Sequence, residues 1–305
     1  MNYLKSLRMI ACLFFSGLAV LVAGCRTVDS TAVANFATTV TAVKTQADDA
    51  LNATAALTRD ASISYAAAQP NLAEANFIET PTGDTISEWD GAFSTMETYA
   101  QNMSTLLSPD AVKDFDVAAT NLFNQFNETA SRLKANRINS QAGVNALLAT
   151  AFTETAGLIM QARQQATAIK VARATDTNIA TICTLFAMEI GADRITSPGL
   201  RKTLYETVWT PRLASLTPSF LAANAADKAA ICQQYADLLS KRDAQDQVLA
   251  SLRRSILLLS DAHHALAQGK PASIQADLNV IAGEIQHTRD LFNQFSPPVT
   301  PPVKK

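Results

Sequence analysis

From about residue 31 onward, hydrophobic side chains recur every third or fourth position over long stretches, the spacing of one face of an α-helix. The first seam runs Phe36, Val40, Val43, Ala47, Ala50, Thr54, Leu57 and Ala61. It predicts one helix of roughly 35 to 40 residues ending at Gln69-Pro70, because proline disfavours helical backbone in the residue before it. A polar connection follows to about Asp84, and Thr85 to Glu88 has the form of a capping box, predicting a second helix that carries Trp89, Phe93, Met96 and Met103. Ser108-Pro109-Asp110 reads as an N-cap, a proline at the first helical position and an acid in the first turn. The helix it predicts shows Val112, Phe115, Ala119, Leu122, Phe126 and Leu133. A fourth segment begins near Ser140 and carries Val144, Leu148, Ala151, Leu158, Ala162 and Ile169, after which Thr175-Asp176 predicts a restart through Cys183 to Ile190.

The punctuation then becomes dense. Ser197-Pro198, Thr210-Pro211 and Thr217-Pro218 each pair a capping residue with a proline, which predicts short helices packed across the bundle, with Tyr205, Trp209 and Phe220 as an aromatic plug. The C-terminal pattern is the most regular: one helix from about Ala225 to Gln268 holds Leu249, Leu252, Ile256, Leu259 and Leu266 in register. Gly269-Lys270-Pro271 breaks it, and a last helix holds Ile274, Leu278, Ile281, Ile285, Phe292 and Phe295. A short break between two such helices predicts an antiparallel hairpin with coiled-coil-like packing. The proline-rich end, Ser296-Pro297-Pro298-Val299-Thr300-Pro301-Pro302-Val303-Lys304-Lys305, predicts an extended polyproline tail.

Composition agrees with an all-α fold. The chain has 54 alanines among 305 residues and only 10 glycines and 11 prolines, so it is rich in the best helix former and poor in turns. No repeat of fixed period and no linker between two halves is visible. The expected organisation is a single elongated antiparallel helical bundle over residues 31–296 with a cap of short helices, followed by a tail at 297–305.

The first 24 residues belong to a different pattern. Lys5 and Arg8 precede an uncharged run from Met9 to Gly24 that is shorter than the roughly 20 residues of a spanning helix, as in a secretory signal peptide. Leu21-Val22-Ala23-Gly24-Cys25 resembles the lipobox of bacterial lipoproteins, a resemblance confined to the export signal. It implies cleavage before Cys25, a thioether-linked diacylglycerol on that cysteine and an acyl chain on its new α-amino group, with no cofactor beyond this covalent lipid. Two or more acyl chains give stable anchoring without a transmembrane helix. Arg26, standing where an aspartate tends to retain enterobacterial lipoproteins in the inner membrane, favours the outer membrane by the same resemblance. Residues 25–30 would form a lipidated tether, with the five-residue link Arg26 to Ser30 reaching at most roughly 18 Å, so the body is expected close to the bilayer on its periplasmic side.

Four cysteines are present, and removing Cys12 with the signal and acylating Cys25 leaves the pair Cys183 and Cys232. An oxidising periplasm would let them form a disulfide; packing as two separate thiols is the alternative. Only three histidines occur. His263 sits in the seam between Leu259 and Leu266, and a hairpin turning near Lys270 would set it opposite Asp277, a candidate metal or pH-responsive site. A buried imidazole satisfied by a neighbouring carboxylate or carbonyl is the plainer expectation, so no metal is assigned. His287 would lie opposite Arg253 and Arg254. The run Ser240 to Gln247 interrupts the long helix with polar residues, placing Arg242 and Gln245 in the seam beside Asp246, as a solvated face or a candidate partner surface.

Signatures of enzymes fail in turn: the chain has no G-x-S-x-G elbow, no G-x-G-x-x-G turn and no Walker A loop, and Ser131-Arg132-Leu133-Lys134 stands alone as an S-x-x-K match. Without Lys5 and Arg8 the chain carries 23 basic and 27 acidic residues, which argues against nucleic acid as a partner. The sequence therefore points to a non-enzymatic, lipid-anchored envelope protein with a structural or interaction role, binding another envelope protein or itself. A periplasm-facing carrier for a metal or a small apolar ligand is the competing expectation.

Overall fold

The computed structural model describes residues 30–67, 70–73, 77, 80–105, 111–135, 144–162 and 168–295. Cys25, the signal sequence, the Gln69, Ser108-Pro109-Asp110 and Ser140 boundaries and the proline-rich tail lie outside the described residues. Among the described residues there is no strand. Seven long helices form the body: α1 (Ser30–Ala67), α2 (Gly83–Thr105), α3 (Ala111–Ala135), α4 (Val144–Ala162), α5 (Ala168–Ile190), α9 (Ala225–Gln268) and α10 (Pro271–Phe295). Between α5 and α9 come α6 (Leu200–Leu204), a π-helical turn (Tyr205–Trp209), α7 (Thr210–Ala214) and α8 (Leu216–Ala222). No described helix is long and apolar enough to cross a membrane.

The all-α expectation holds, and the seams of α1 and α9 face inward. Every member of the Phe36–Ala61 seam is buried except Leu57, which packs half-buried against the same core. Helix α9 is the hub, lying against α5, α10 and α1, while α3 and α4 pair with each other and α4 continues onto α5. Cross-helix bonds give the directions. Arg173 Nε donates to the Ala267 carbonyl (2.7 Å) and Arg253 Nε to the Ala187 carbonyl (3.2 Å), so α5 and α9 are antiparallel. Asn35 meets Gln275 (3.2 Å) and Gln46 meets Thr288 (2.7 Å), so α1 runs parallel to α10. The start of α1 therefore lies at the same end of the bundle as the turn between α9 and α10.

That turn follows from its glycine. Gly269 adopts φ 67, its N–H bonds the Leu266 carbonyl and the next N–H bonds the Ala265 carbonyl, closing α9 before Pro271 opens α10. The second glycine-dependent point lies between α5 and α6, where Gly199 sits at φ 141 and any Cβ there would come within 2.6 Å of the Gly191 nitrogen.

Three local expectations change. Helix α2 starts at Gly83 and is capped by Thr82, whose hydroxyl accepts from the Thr85 N–H (3.3 Å), so the threonine read as a cap is the capped residue. Thr175-Asp176 does not open a helix; α5 begins at Ala168 and passes through both. Thr175 bonds back to the Val171 carbonyl (2.9 Å) and Asp176 turns to another helix. Thr210-Pro211 opens the short helix α7 with the proline in its first turn, but Thr210 supplies no side-chain cap. Pro211 has no N–H, and the chain passes it by widening into the π-helical turn, with the Thr210 N–H reaching the Tyr205 carbonyl.

Candidate functional site

The polar seam position expected at His263 proves to be the centre of a buried network drawn from three helices. His263 (α9) has no exposed surface, and Tyr99 (α2) is 1% exposed. The Tyr99 hydroxyl lies 2.8 Å from His263 Nε2 and 2.7 Å from the Thr175 hydroxyl of α5. On the other side of the ring, His263 Nδ1 is 3.2 Å from Asp176 Oδ1, and the second oxygen of Asp176 is 2.7 Å from His264 Nδ1. Gln268, one turn on, bonds His264 Nε2. Phe36 of α1 closes the pocket, its ring centroid 6.0 Å from that of His263.

Charges in this cluster are set by burial and by the histidines. Burial lowers the His263 pKa, with Asp176 pulling the other way. The Asp176 carboxyl is held below its ordinary value, first by its hydrogen bond to His263, against the burial that would raise it. Burial pushes the Tyr99 hydroxyl well up, so it stays protonated.

The network has a consistent set of donors in either protonation state. With a neutral ring carrying its hydrogen on Nδ1, Asp176 accepts from Nδ1, Nε2 accepts from Tyr99 and the Tyr99 oxygen accepts from Thr175. With a protonated ring the two hydroxyls reverse: Nε2 donates to Tyr99, Tyr99 to Thr175, and Thr175 to the Val171 carbonyl. In both states every donor of the network has an acceptor.

Asp277 takes no part in this arrangement, which corrects the expected pairing with His263. The hairpin is offset: Ser251 Oγ donates to the Glu284 carbonyl (2.9 Å) and Arg254 pairs with the Glu284 carboxylate. Asp277 therefore falls near Asp261, and burial and that like charge raise its pKa. His287 is exposed, and Arg254 meets Glu284 in its place. Among the described residues no group of three His, Cys, Asp or Glu side chains is arranged to hold a metal ion.

The cysteine pair is also corrected. Cys183 and Cys232 are free thiols, the first buried and the second exposed. The antiparallel register of α5 and α9 sets Cys183 abreast of about residue 257, so roughly 37 Å of helix axis separates it from Cys232, against the ~7 Å limit between Cα atoms for a disulfide. Burial pushes the Cys183 thiol up to about 12.

Arg242, Gln245 and Asp246 find partners inside the chain, Gln245 buried and the other two half-buried. Trp209 Nε1 donates to Gln245 Oε1 (2.5 Å), with both residues 2% exposed. Arg201 holds both oxygens of Asp246 (2.8 and 2.9 Å), and Arg242 pairs with Asp243, which also receives Arg194 (2.6 Å). The polar run is the seat of the short-helix cap. Its local spacing gives no hint of this, because Trp209, Arg201 and Arg194 lie more than 35 residues upstream of the side chains they meet.

Beyond that seat, α9 projects past the body. None of its residues before Leu238 is buried, which leaves an arm of about 20 Å. Helix α8 packs on it, with Lys228 Nζ 5.3 Å from the Phe220 ring centroid. Between them runs an apolar cleft of about 320 Å³ lined by Leu216, Phe220, Ile231, Cys232, Tyr235 and Leu239. The arm tip stands about 66 Å along α9 from Gly269, at the end of the bundle opposite the start of α1. No protein-family model matches the chain, and no curated protein or solved structure matches it.

Proposed function

We propose that this chain is a lipid-anchored component of a bacterial cell envelope, acting without catalysis as a rigid helical post that engages another envelope protein in the periplasm. The observation that carries the reading is the polarity of the bundle. Four residues separate the lipobox cysteine, Cys25, from Ser30 at the start of α1, and that start shares its end of the bundle with the α9–α10 turn. An acyl anchor on Cys25 would therefore hold this end at the bilayer, with the outer membrane favoured by Arg26. The arm at the other end would stand tens of ångströms into the periplasm, where a partner rather than the anchoring membrane meets it.

Two linked measurements test this. Metabolic labelling with a fatty acid is expected to mark the wild-type chain and not Cys25→Ala; equal labelling of both would remove the anchor. Mild cross-linking in intact cells should capture a specific envelope protein through residues of the arm, and the capture should weaken in Cys25→Ala. A chain that is labelled but cross-links to nothing would overturn the interaction role while leaving the anchor standing.

A further inference from the structure

The cleft between α8 and the arm joins an uncharged trough to a cation, and we propose that it binds a medium-chain fatty acid, the chain lying between the two helices and the carboxylate on Lys228. The trough follows from the helix period. At about 100° per residue, Ile231, Cys232, Tyr235 and Leu239 fall on one side of α9, while Asp227, Asp237 and Lys241 fall on the other. Leu216 and Phe220 of α8 close over the first set, and none of the described residues that line the cleft is charged.

The cation stands at one end of the trough. Lys228 Nζ lies 5.3 Å from the ring centroid of Phe220, and among the described residues no carboxylate pairs with it. Asp227, its neighbour in the chain, is turned away and held by the Asn224 side chain (2.7 Å). A single anionic head complements that lysine, and an uncharged flexible chain complements the trough. A wholly apolar ligand would leave the lysine unmatched, and a polyanion would find one cation only.

Size selects the chain length. The cleft volume of about 320 Å³ lies at the lower end of the roughly 300–1,000 Å³ typical of small-molecule sites. Lys228 to Leu239 is about 16 Å along the axis of α9. An extended chain with ~1.5 Å carbon–carbon bonds advances about 1.3 Å per atom, so twelve carbons cover about 14 Å, and the lysine side chain spans the rest. Helix α8 turns back onto α9 through Ala223 and Asn224, so Phe220 lies toward the arm tip and Leu216 toward Leu239. The carboxylate is therefore at the tip and the methyl end points to the short-helix cap. Neither the acyl anchor nor a protein partner is needed for this binding.

Cys232, exposed in the trough, reports occupancy. The full chain in isolated membranes is treated with a maleimide polymer, a Cys232→Ala control is subtracted, and dodecanoate, hexanoate or dodecanol is added below the micelle threshold. Dodecanoate is expected to slow Cys232 labelling about tenfold, and hexanoate, too short to fill the trough, to leave it unchanged at the same concentration. Lys228→Gln should raise the dodecanoate concentration for half protection about fivefold and leave that for dodecanol where it was. A diazirine-bearing dodecanoate should attach within residues 216–239, a readout that stays decisive if the thiol itself reacts slowly. Absence of both protection and attachment overturns the proposal, as does attachment confined to other helices. Equal behaviour of dodecanoate on the wild type and Lys228→Gln removes the carboxylate contact and overturns it too. Protection by a single-chain lysophospholipid at lower concentration than dodecanoate would overturn the fatty acid as the occupant.

Discussion

Helix α9 is one continuous element of 44 residues that lives in two environments. From Leu238 onward it is clamped on several sides. Leu249, Leu252 and Leu266 have no exposed surface, and α5, α10 and α1 all rest on it. From Ala225 to Asp237 it is almost bare, and local terms must hold it: four alanines in the first six positions, Asp227 in the first turn, and Asn224 as a cap whose side chain accepts from the N–H groups of Ala226 and Asp227 (3.0 Å each). The same backbone geometry thus rests on packing in one half and on propensity and capping in the other. The packed half should unfold with the body, while the arm should open on its own.

The largest test of that contrast is truncation in the two halves. Leu252→Ala, within a core that has little room to collapse, should cost about 2 to 5 kcal/mol of global stability in urea unfolding. Tyr235→Ala on the arm, where the side chain is 41% exposed, should cost less than about 0.5 kcal/mol. Similar losses at both positions would mean that the arm is part of the cooperative unit after all. The next effect in size belongs to the buried network. Tyr99→Phe keeps the ring and removes the hydroxyl that serves both His263 and Thr175, so it should cost about 1 to 3 kcal/mol. An unchanged unfolding midpoint would show that the polar cluster contributes nothing beyond its volume.

The seams were legible in the sequence because burial along a helix has a fixed period. Phe36 to Ala61 and Leu249 to Leu266 announce their inner faces, and Gly269-Lys270-Pro271 announces the turn. What periodicity cannot supply is the offset between two helices. Opposing His263 to Asp277 assumed a symmetric hairpin, whereas the Glu284 contacts to Ser251 and Arg254 slide α10 along α9. His263 was visible as a polar intruder, but its partners were hidden in plain local signals. Thr175-Asp176 has the composition of a helix start, and Tyr99 looks like one more aromatic of α2. Nor could the polar run at 240–247 be assigned from its own residues, since Trp209, Arg194 and Arg201, which it holds, are brought to it by the fold.

A pH series separates the buried His263 from the half-buried Glu189. His263 is held below its ordinary 6.5 mainly by burial, so the folded state takes up a proton less readily than the unfolded chain. Its contribution to stability is therefore present above about 6.5 and declines as pH falls from there. Glu189 has the opposite sign: burial, with Glu88 nearby, raises it to about 7 from 4.5, so its contribution is lost as pH rises through that window. His263→Gln should flatten the decline of the urea midpoint between pH 7.5 and 5.5, and Glu189→Gln should steepen it. If neither slope changes, other carboxylates govern the acid limb and the network is not its sensor.

The smallest effect lies on the arm and is the most diagnostic of how it is held. Asn224→Ala removes the side chain that accepts from the N–H groups of Ala226 and Asp227 in the first turn of α9, a loss of about 1 kcal/mol in local helix stability. Because no residue before Leu238 is buried and the contacts to α8 lie at the surface, that loss should reach the body little. Hydrogen exchange at Ala226, Asp227 and Lys228 should accelerate about fivefold, while the amides of Leu249 to Leu266 and the global urea midpoint stay where they are. Faster exchange spreading past Leu238 would show that the cap anchors the whole of α9. The arm would then be the outer end of the cooperative core and not a separately held element.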